Sequence, residues 1–116
     1  MVTIINIGEK EYQAKLTTLN LVALEKDLGT NPINVLIGMA QNGATEMPSI
    51  EFIAKVLMYS LKKYQPKINL NATYEIIDDY LEDEEHDLTT LIELVMTIFT
   101  ESGLFRRPEE QPTDDK

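Results

Sequence analysis

Apolar residues recur at spacings of three and four along most of the chain after residue 17, which is the period of one helix face. Each apolar run follows a residue that commonly caps helices and stops at glycine, proline or a polar cluster. The pattern predicts five helices, at about residues 18–28, 32–41, 49–64, 71–83 and 88–102. The chain is therefore expected to be mostly helical.

Single residues indicate where several of these helices begin and end. Four helix starts offer a side-chain oxygen that can accept a hydrogen bond from an unpaired first-turn N–H. These residues are Thr17 or Thr18, Asn31, Ser49 and Asp87. Gly29 suits a left-handed C-terminal cap, and Gly103 followed by Leu104 predicts a Schellman end.

Residues 2–16 precede the helices and carry a β pattern. The segment 2–7 is rich in valine, isoleucine and threonine, and the segment 11–16 alternates apolar and polar residues. A turn over residues 8–10 would join them into a β-hairpin, which needs other elements to pack against. The predicted fold class is α+β, mostly α, in one compact domain over residues 1–105.

The last eleven residues, 106–116, have the composition of a disordered polar tail. They contain two prolines and four acids and lack any apolar residue. Such a segment cannot bury enough apolar surface to offset the entropy of ordering it. The N-terminus does not show a basic stretch followed by a long apolar run, so a cytoplasmic location is expected.

The residue inventory removes several kinds of chemistry. The chain contains no cysteine, which excludes disulfides, thiolate catalysis and cysteine-ligated metals. It contains one histidine, His86. Phosphate-binding glycine loops are also absent. His86 is interpreted as an exposed loop residue. No catalytic residue, cofactor or metal ligand is therefore assigned, and a non-enzymatic protein is expected.

The charge is strongly negative. Ten basic and twenty acidic residues give a net charge of −10, which should repel nucleic acids and anionic membranes. Eight of the acids lie between Glu75 and Asp87, a segment without any lysine or arginine. Four interpretations are open for this acidic run: a divalent-cation site, a general acid/base pair, a docking surface for a basic partner, or a solvated helix face.

Three stretches resemble tail assembly chaperones of long-tailed bacteriophages and prophages. They are Leu21–Leu36, Ile50–Lys62 and Tyr74–Phe105, and the resemblance covers residues 15 to 106. It implies a non-enzymatic assembly factor that binds the tape measure protein, with the tail tube protein as a second candidate partner. The chaperone would act in the cytoplasm of the bacterial host and would not remain in the mature virion.

Apolar helix stripes and acids together suggest how a client would be held. A helix-in-groove site is expected from the third and last helices, and the acidic run is expected to steer a basic client. The apolar candidates are Met58, Leu61, Phe99 and Phe105, and the acidic candidates are Glu82, Asp83 and Glu85. Apolar positions around several helices exceed one narrow stripe, so a homo-oligomer is expected.

Two other function classes remain open at this level. A small acidic inhibitor that mimics DNA and binds a basic host protein would also carry many carboxylates on a small fold. A small hydrolase with paired carboxylates would need them in different environments within a cleft.

Overall fold

Two strands and five helices follow one another in the predicted order in the computed structural model, which describes residues 1–42 and 48–104. The antiparallel hairpin comprises β1 (Thr3–Ile7) and β2 (Lys10–Ala14). The helices are α1 (Thr18–Leu28), α2 (Pro32–Asn42), α3 (Ile50–Leu61), α4 (Leu70–Leu81) and α5 (Leu88–Glu101). The α+β, mostly helical fold class is confirmed. The predicted domain end at residue 105 and the predicted disorder of residues 106–116 lie outside the described residues.

The hairpin turns through two residues, Gly8 and Glu9, with Ile7 paired to Lys10. Gly8 has a φ of 60°, and no described non-glycine residue has a positive φ. A positive φ at the first central position alone is the mark of a type II′ turn, where glycine avoids steric strain. Its twist matches that of the flanking strands, so the turn sets the register of the hairpin.

The second strand ends two residues earlier than the sequence predicts. After Ala14 the backbone leaves β1, because the Lys15 N–H donates to the Ser60 carbonyl at 2.9 Å. The Leu16 N–H then donates to the Ser102 Oγ at 3.0 Å. The segment is therefore tied to the ends of α3 and α5 instead of to the sheet.

Helix α3 is the central element of the core. It packs against α1, α4, α5 and β2. Eight of its twelve residues are buried, and they are Phe52, Ile53, Ala54, Val56, Leu57, Met58, Ser60 and Leu61. Ile50 and Tyr64, near the two ends of the helix predicted over residues 49–64, are 42% and 39% exposed. The helix also stops at Leu61, because the Tyr64 N–H donates to the Leu61 carbonyl in a tighter turn.

The predicted helix starts are confirmed. The side chains of Thr17, Ser49 and Asp87 accept hydrogen bonds from the N–H groups of Asn20, Phe52 and Thr90. The Asn31 Oδ1 accepts from the Ile33 N–H at 2.9 Å. Helix α4 has a cap that the sequence analysis missed, Asn69, which accepts from the Ala72 N–H at 2.8 Å.

The glycine ends of α1 and α5 are also as predicted. Gly29 and Gly103 have φ values of 74° and 82°, in the left-handed region. The Leu104 N–H donates to the Phe99 carbonyl and the Gly103 N–H to the Thr100 carbonyl, both at 3.0 Å, which is the Schellman pattern. Leu104 packs against the core, as this motif favours.

Candidate functional site

The hairpin turn and the end of α4 form an open cleft of about 610 Å³. Five of its lining residues are charged, and they are Glu9, Lys10, Asp79, Glu82 and Asp83. All five are exposed to solvent. Four carboxylates against one ammonium group make the cleft acidic. A cleft lined by one sign of charge concentrates its field and attracts groups of the opposite sign.

Local structure explains why these acids meet. The type II′ turn projects Gly8 and Glu9 from the end of the sheet. Asp79 lies in the last turn of α4, and Glu82 is its C-cap residue. Acids at a helix C-terminus oppose the helix dipole, so they do not stabilise α4. The dipole provides no folding reason for acids in these positions, which is compatible with a role in attracting a cationic partner.

The connection between α4 and α5 is packed in place by His86. The His86 ring stacks on the Tyr80 ring with centroids 4.0 Å apart and planes 4° from parallel. Its Nδ1–H donates to the Tyr80 carbonyl at 2.9 Å. The expectation of an exposed loop histidine is therefore wrong, because this stack leaves His86 partly buried.

A second polar cluster joins α1 to α3. The Lys55 Nζ lies 2.8 Å from the Asp27 Oδ1, and the Tyr59 hydroxyl donates to the Asp27 Oδ2 at 2.9 Å. Hydrogen bonds from Lys55 and then from Tyr59 hold the pKa of Asp27 below its ordinary value. Burial, followed by the bond to Asp27, raises the pKa of Tyr59. Asp27, Lys55 and Tyr59 together form a clamp, in which two hydrogen bonds to one carboxylate join α1 to α3.

The described residues carry no sign of a metal centre. Among residues 1–42 and 48–104, no group of three or more histidines, cysteines, aspartates or glutamates is arranged to hold a metal ion. Within the same two ranges, no helix is long and apolar enough to cross a membrane.

Comparison with known protein families shows which family this chain belongs to. A family model described as phage tail assembly chaperone protein matches residues 4–111. The chain belongs to this phage tail assembly chaperone family. The match includes all of the hairpin except Thr3, whereas the resemblance in the sequence began only at residue 15. No curated protein and no solved structure gave a significant match to this chaperone.

The acidic residues predicted to face a partner of the chaperone fall into two groups. Glu82 and Asp83 line the acidic cleft. Glu85 is exposed in the α4–α5 connection and is not among the residues that form the cleft. Its N–H donates to the Asp83 Oδ1 at 2.9 Å, which is the hydrogen bond of an Asx turn. Glu9 and Asp79 complete the acidic wall, and sequence reasoning missed Glu9 because the two segments meet only in the folded chaperone.

Three of the four apolar residues predicted to form a groove lie inside the chaperone. Met58 is 8% exposed, and Leu61 and Phe99 are 0% exposed. Phe105 lies outside the described residues. The space between the hairpin, α3, α4 and α5 has a volume of only about 10 Å³, with Leu61 on its wall. It is about the size of one water molecule, so it cannot accept a helix. Direct contact of Leu61 or Phe99 with a client stays a prediction, and it would require this core to open.

Other apolar side chains do reach the surface of the chaperone. On α1, Leu19 is 80% exposed and Val22 is 43% exposed. Their spacing of three places them on one side of the helix. The sequence already indicated this exposure. The apolar stripe of α1 consists of Leu21, Leu24 and Leu28, and Leu19 and Val22 lie on another face of the helix.

Proposed function

We propose that this chain chaperones the tape measure protein during assembly of the tail tube, by binding it non-covalently in the host cytoplasm. Family membership supports a role in tail assembly with phage tail proteins as partners. The observation that carries the proposal further is the acidic cleft between the hairpin turn and α4. Its partner would be a basic segment of the client.

The physical properties of the chain suit this task. A net charge of −10 keeps a complex with an aggregation-prone helical client in solution. Exposed carboxylates in the cleft would raise the rate of encounter with a basic segment and, with it, the affinity. The tail tube protein is the second candidate partner.

The alternative of a DNA mimic that binds a basic host protein gains no separate support. A mimic would also use the net negative charge, but the family match points to tail assembly instead. The two functions predict different partners, because a mimic would compete with DNA for a basic host protein.

Co-expression tests the proposed function. The tagged chain is produced together with the tape measure protein of the same genome, and the soluble fraction is purified on the tag. We expect the tape measure protein to become soluble and to co-purify. If it stays insoluble and unbound while the tagged chain is folded by circular dichroism, the proposed client is wrong.

A further inference from the structure

The outer edge of β1 carries backbone groups that no other strand of the described residues pairs with. Because the two-residue turn closes on Ile7 and Lys10, hydrogen-bonded pairs alternate along the ladder from that point. Ile5 is then bonded to Tyr12, while the N–H and C=O groups of Ile4 and Asn6 point away from β2. In the part of the chain that the structure describes, the sheet has only these two strands, and a third strand is absent from this edge.

The two edges of the hairpin differ in how they are protected. Native edge strands usually avoid pairing with other chains by carrying charges or proline. Strand β2 carries Lys10 and Glu11, and its continuation is tied to α3 through Lys15. Strand β1 has the sequence TIINI, without a charge or a proline, and Ile4 on its outer face is 39% exposed. The edge of β1 is therefore the unprotected one.

We propose that this edge of β1 pairs antiparallel with the same edge of a second copy, which makes one four-stranded sheet across a two-fold axis. Two observations select a second copy as the occupant. The edge is self-complementary, because a two-fold axis places each free N–H opposite a free C=O. The β1 strand carries no charged residue, so pairing it with an identical strand places no like charges opposite each other, despite the net charge of −10.

The exposed side chain of Ile4 determines the register in which we pair the two β1 strands. With the axis at Ile4, the two Ile4 residues form a hydrogen-bonded pair whose Cα atoms lie about 5.5 Å apart. Their half-exposed side chains then cover each other on the outer face of the sheet. Gln13, which pairs with Ile4 within the hairpin, lies three strand spacings, about 14 Å, from Gln13 of the second copy.

Cysteine cross-linking tests this arrangement directly. The chain has no cysteine, so a single substitution creates the only thiol. Under mild oxidation Ile4→Cys should form a disulfide-linked dimer, since a Cα separation of about 5.5 Å suits that bond. Gln13→Cys is the matched control and should stay monomeric on a non-reducing gel. Cross-linking of Gln13→Cys instead of Ile4→Cys would show pairing through β2 and overturn the proposal.

Sedimentation of charge variants provides an independent test. The native chain should sediment at twice its mass of 13.2 kDa. Ile4→Lys places like charges opposite each other and should weaken self-association by about tenfold or more. Mixing Ile4→Lys with Ile4→Glu should restore the dimer.

Two results would overturn the proposal. The first is a native chain that stays monomeric with no cross-link through Ile4→Cys. The second is a monomeric chain whose capture of the tape measure protein is lost in Ile4→Lys, which would assign the edge to a client strand. The first result is measured without any client, so failure of the dimer and failure of the proposed function are distinguishable. The second result presupposes that the native chain captures the tape measure protein, which the co-expression test establishes first.

Discussion

The hydroxyl of Tyr80 donates a hydrogen bond to the Oγ1 of Thr90 at 2.9 Å, joining the last turn of α4 to the first turn of α5. The same Oγ1 accepts from the Asp87 N–H and completes the capping box at the start of α5. One threonine hydroxyl therefore holds both ends of the connection that carries Asp83 and Glu85. This connection positions one wall of the acidic cleft.

Replacing Thr90 by valine should destabilise the fold. Thr90→Val removes the hydroxyl that serves Tyr80 and the capping box, so the expected cost is about 1–2 kcal/mol. For a domain of this size the melting temperature should fall by about 4–8 °C per kcal/mol. The control is Thr97→Val on the same helix, because within the described residues the Thr97 hydroxyl bonds only to the Glu93 carbonyl. Equal melting temperatures for the two variants would contradict this role.

Replacing Ser102 by alanine should destabilise the fold, because a backbone N–H group depends on the Ser102 side chain as its hydrogen-bond acceptor. The Leu16 N–H donates to the Ser102 Oγ, and Leu16 is 1% exposed. Ser102→Ala leaves that N–H without its partner, at an expected cost of about 1–3 kcal/mol in urea unfolding. Ser60→Ala is the comparison, since the Ser60 Oγ donates only to the Val56 carbonyl of its own helix. A larger loss of unfolding free energy for Ser60→Ala than for Ser102→Ala would show that Ser102 does not hold the segment after β2.

Replacing each of two buried threonines by valine should change the free energy of unfolding in opposite directions. The Thr3 Oγ1 is buried without a hydrogen-bond partner in the described structure. Thr3→Val should raise the free energy of unfolding by about 1 kcal/mol, because an unpaired buried hydroxyl is costly. The Thr73 hydroxyl donates to the Asn69 carbonyl at 2.9 Å, so Thr73→Val should lower it. A loss for Thr3→Val as large as that for Thr73→Val would reveal an unrecognised partner of Thr3.

Acid should release the clamp between α1 and α3. The pKa of Asp27 is lowered in the folded state by its hydrogen bonds to Lys55 and Tyr59. Its stabilising contribution is therefore complete above the unfolded pKa of about 3.9 and is lost as the pH falls through the lower folded value. Asp27→Asn should lower the urea midpoint at pH 7, and the difference from the native chain should shrink towards pH 3.

The control for that measurement is Asp78→Asn, which removes one carboxylate from an exposed position on α4. Neither ion pair found among the described residues involves Asp78. A difference between Asp27→Asn and the native chain that is constant with pH would exclude the clamp as its cause.

Local features of the fold were predictable from the sequence, because they depend on neighbouring residues. Caps such as Ser49 and Gly29 act within one helix turn, and the structure confirms them. Helix α3 was predicted three residues too long, because periodicity continues through Tyr64 although the backbone tightens at Leu61.

Long-range relationships were not predictable in the same way. Periodicity shows that Leu61 and Phe99 lie on apolar faces, but it does not distinguish a core from a groove for a partner. Both are core residues here. Glu82 and Asp83 were predicted as partner-facing acids from charge alone. Their position opposite Glu9 depends on how the hairpin packs against α4, which no single segment encodes.

The most direct test of the central claim is the dissociation constant for the purified tape measure protein, measured for paired charge reversals. Glu82→Lys/Asp83→Lys reverses two charges of the acidic cleft, and Glu75→Lys/Glu93→Lys makes the same change in net charge at exposed positions outside it. We expect the cleft pair to weaken binding by about tenfold or more relative to the control pair, with a reduced dependence on salt. Equal dissociation constants for the two pairs would contradict a binding role for the cleft.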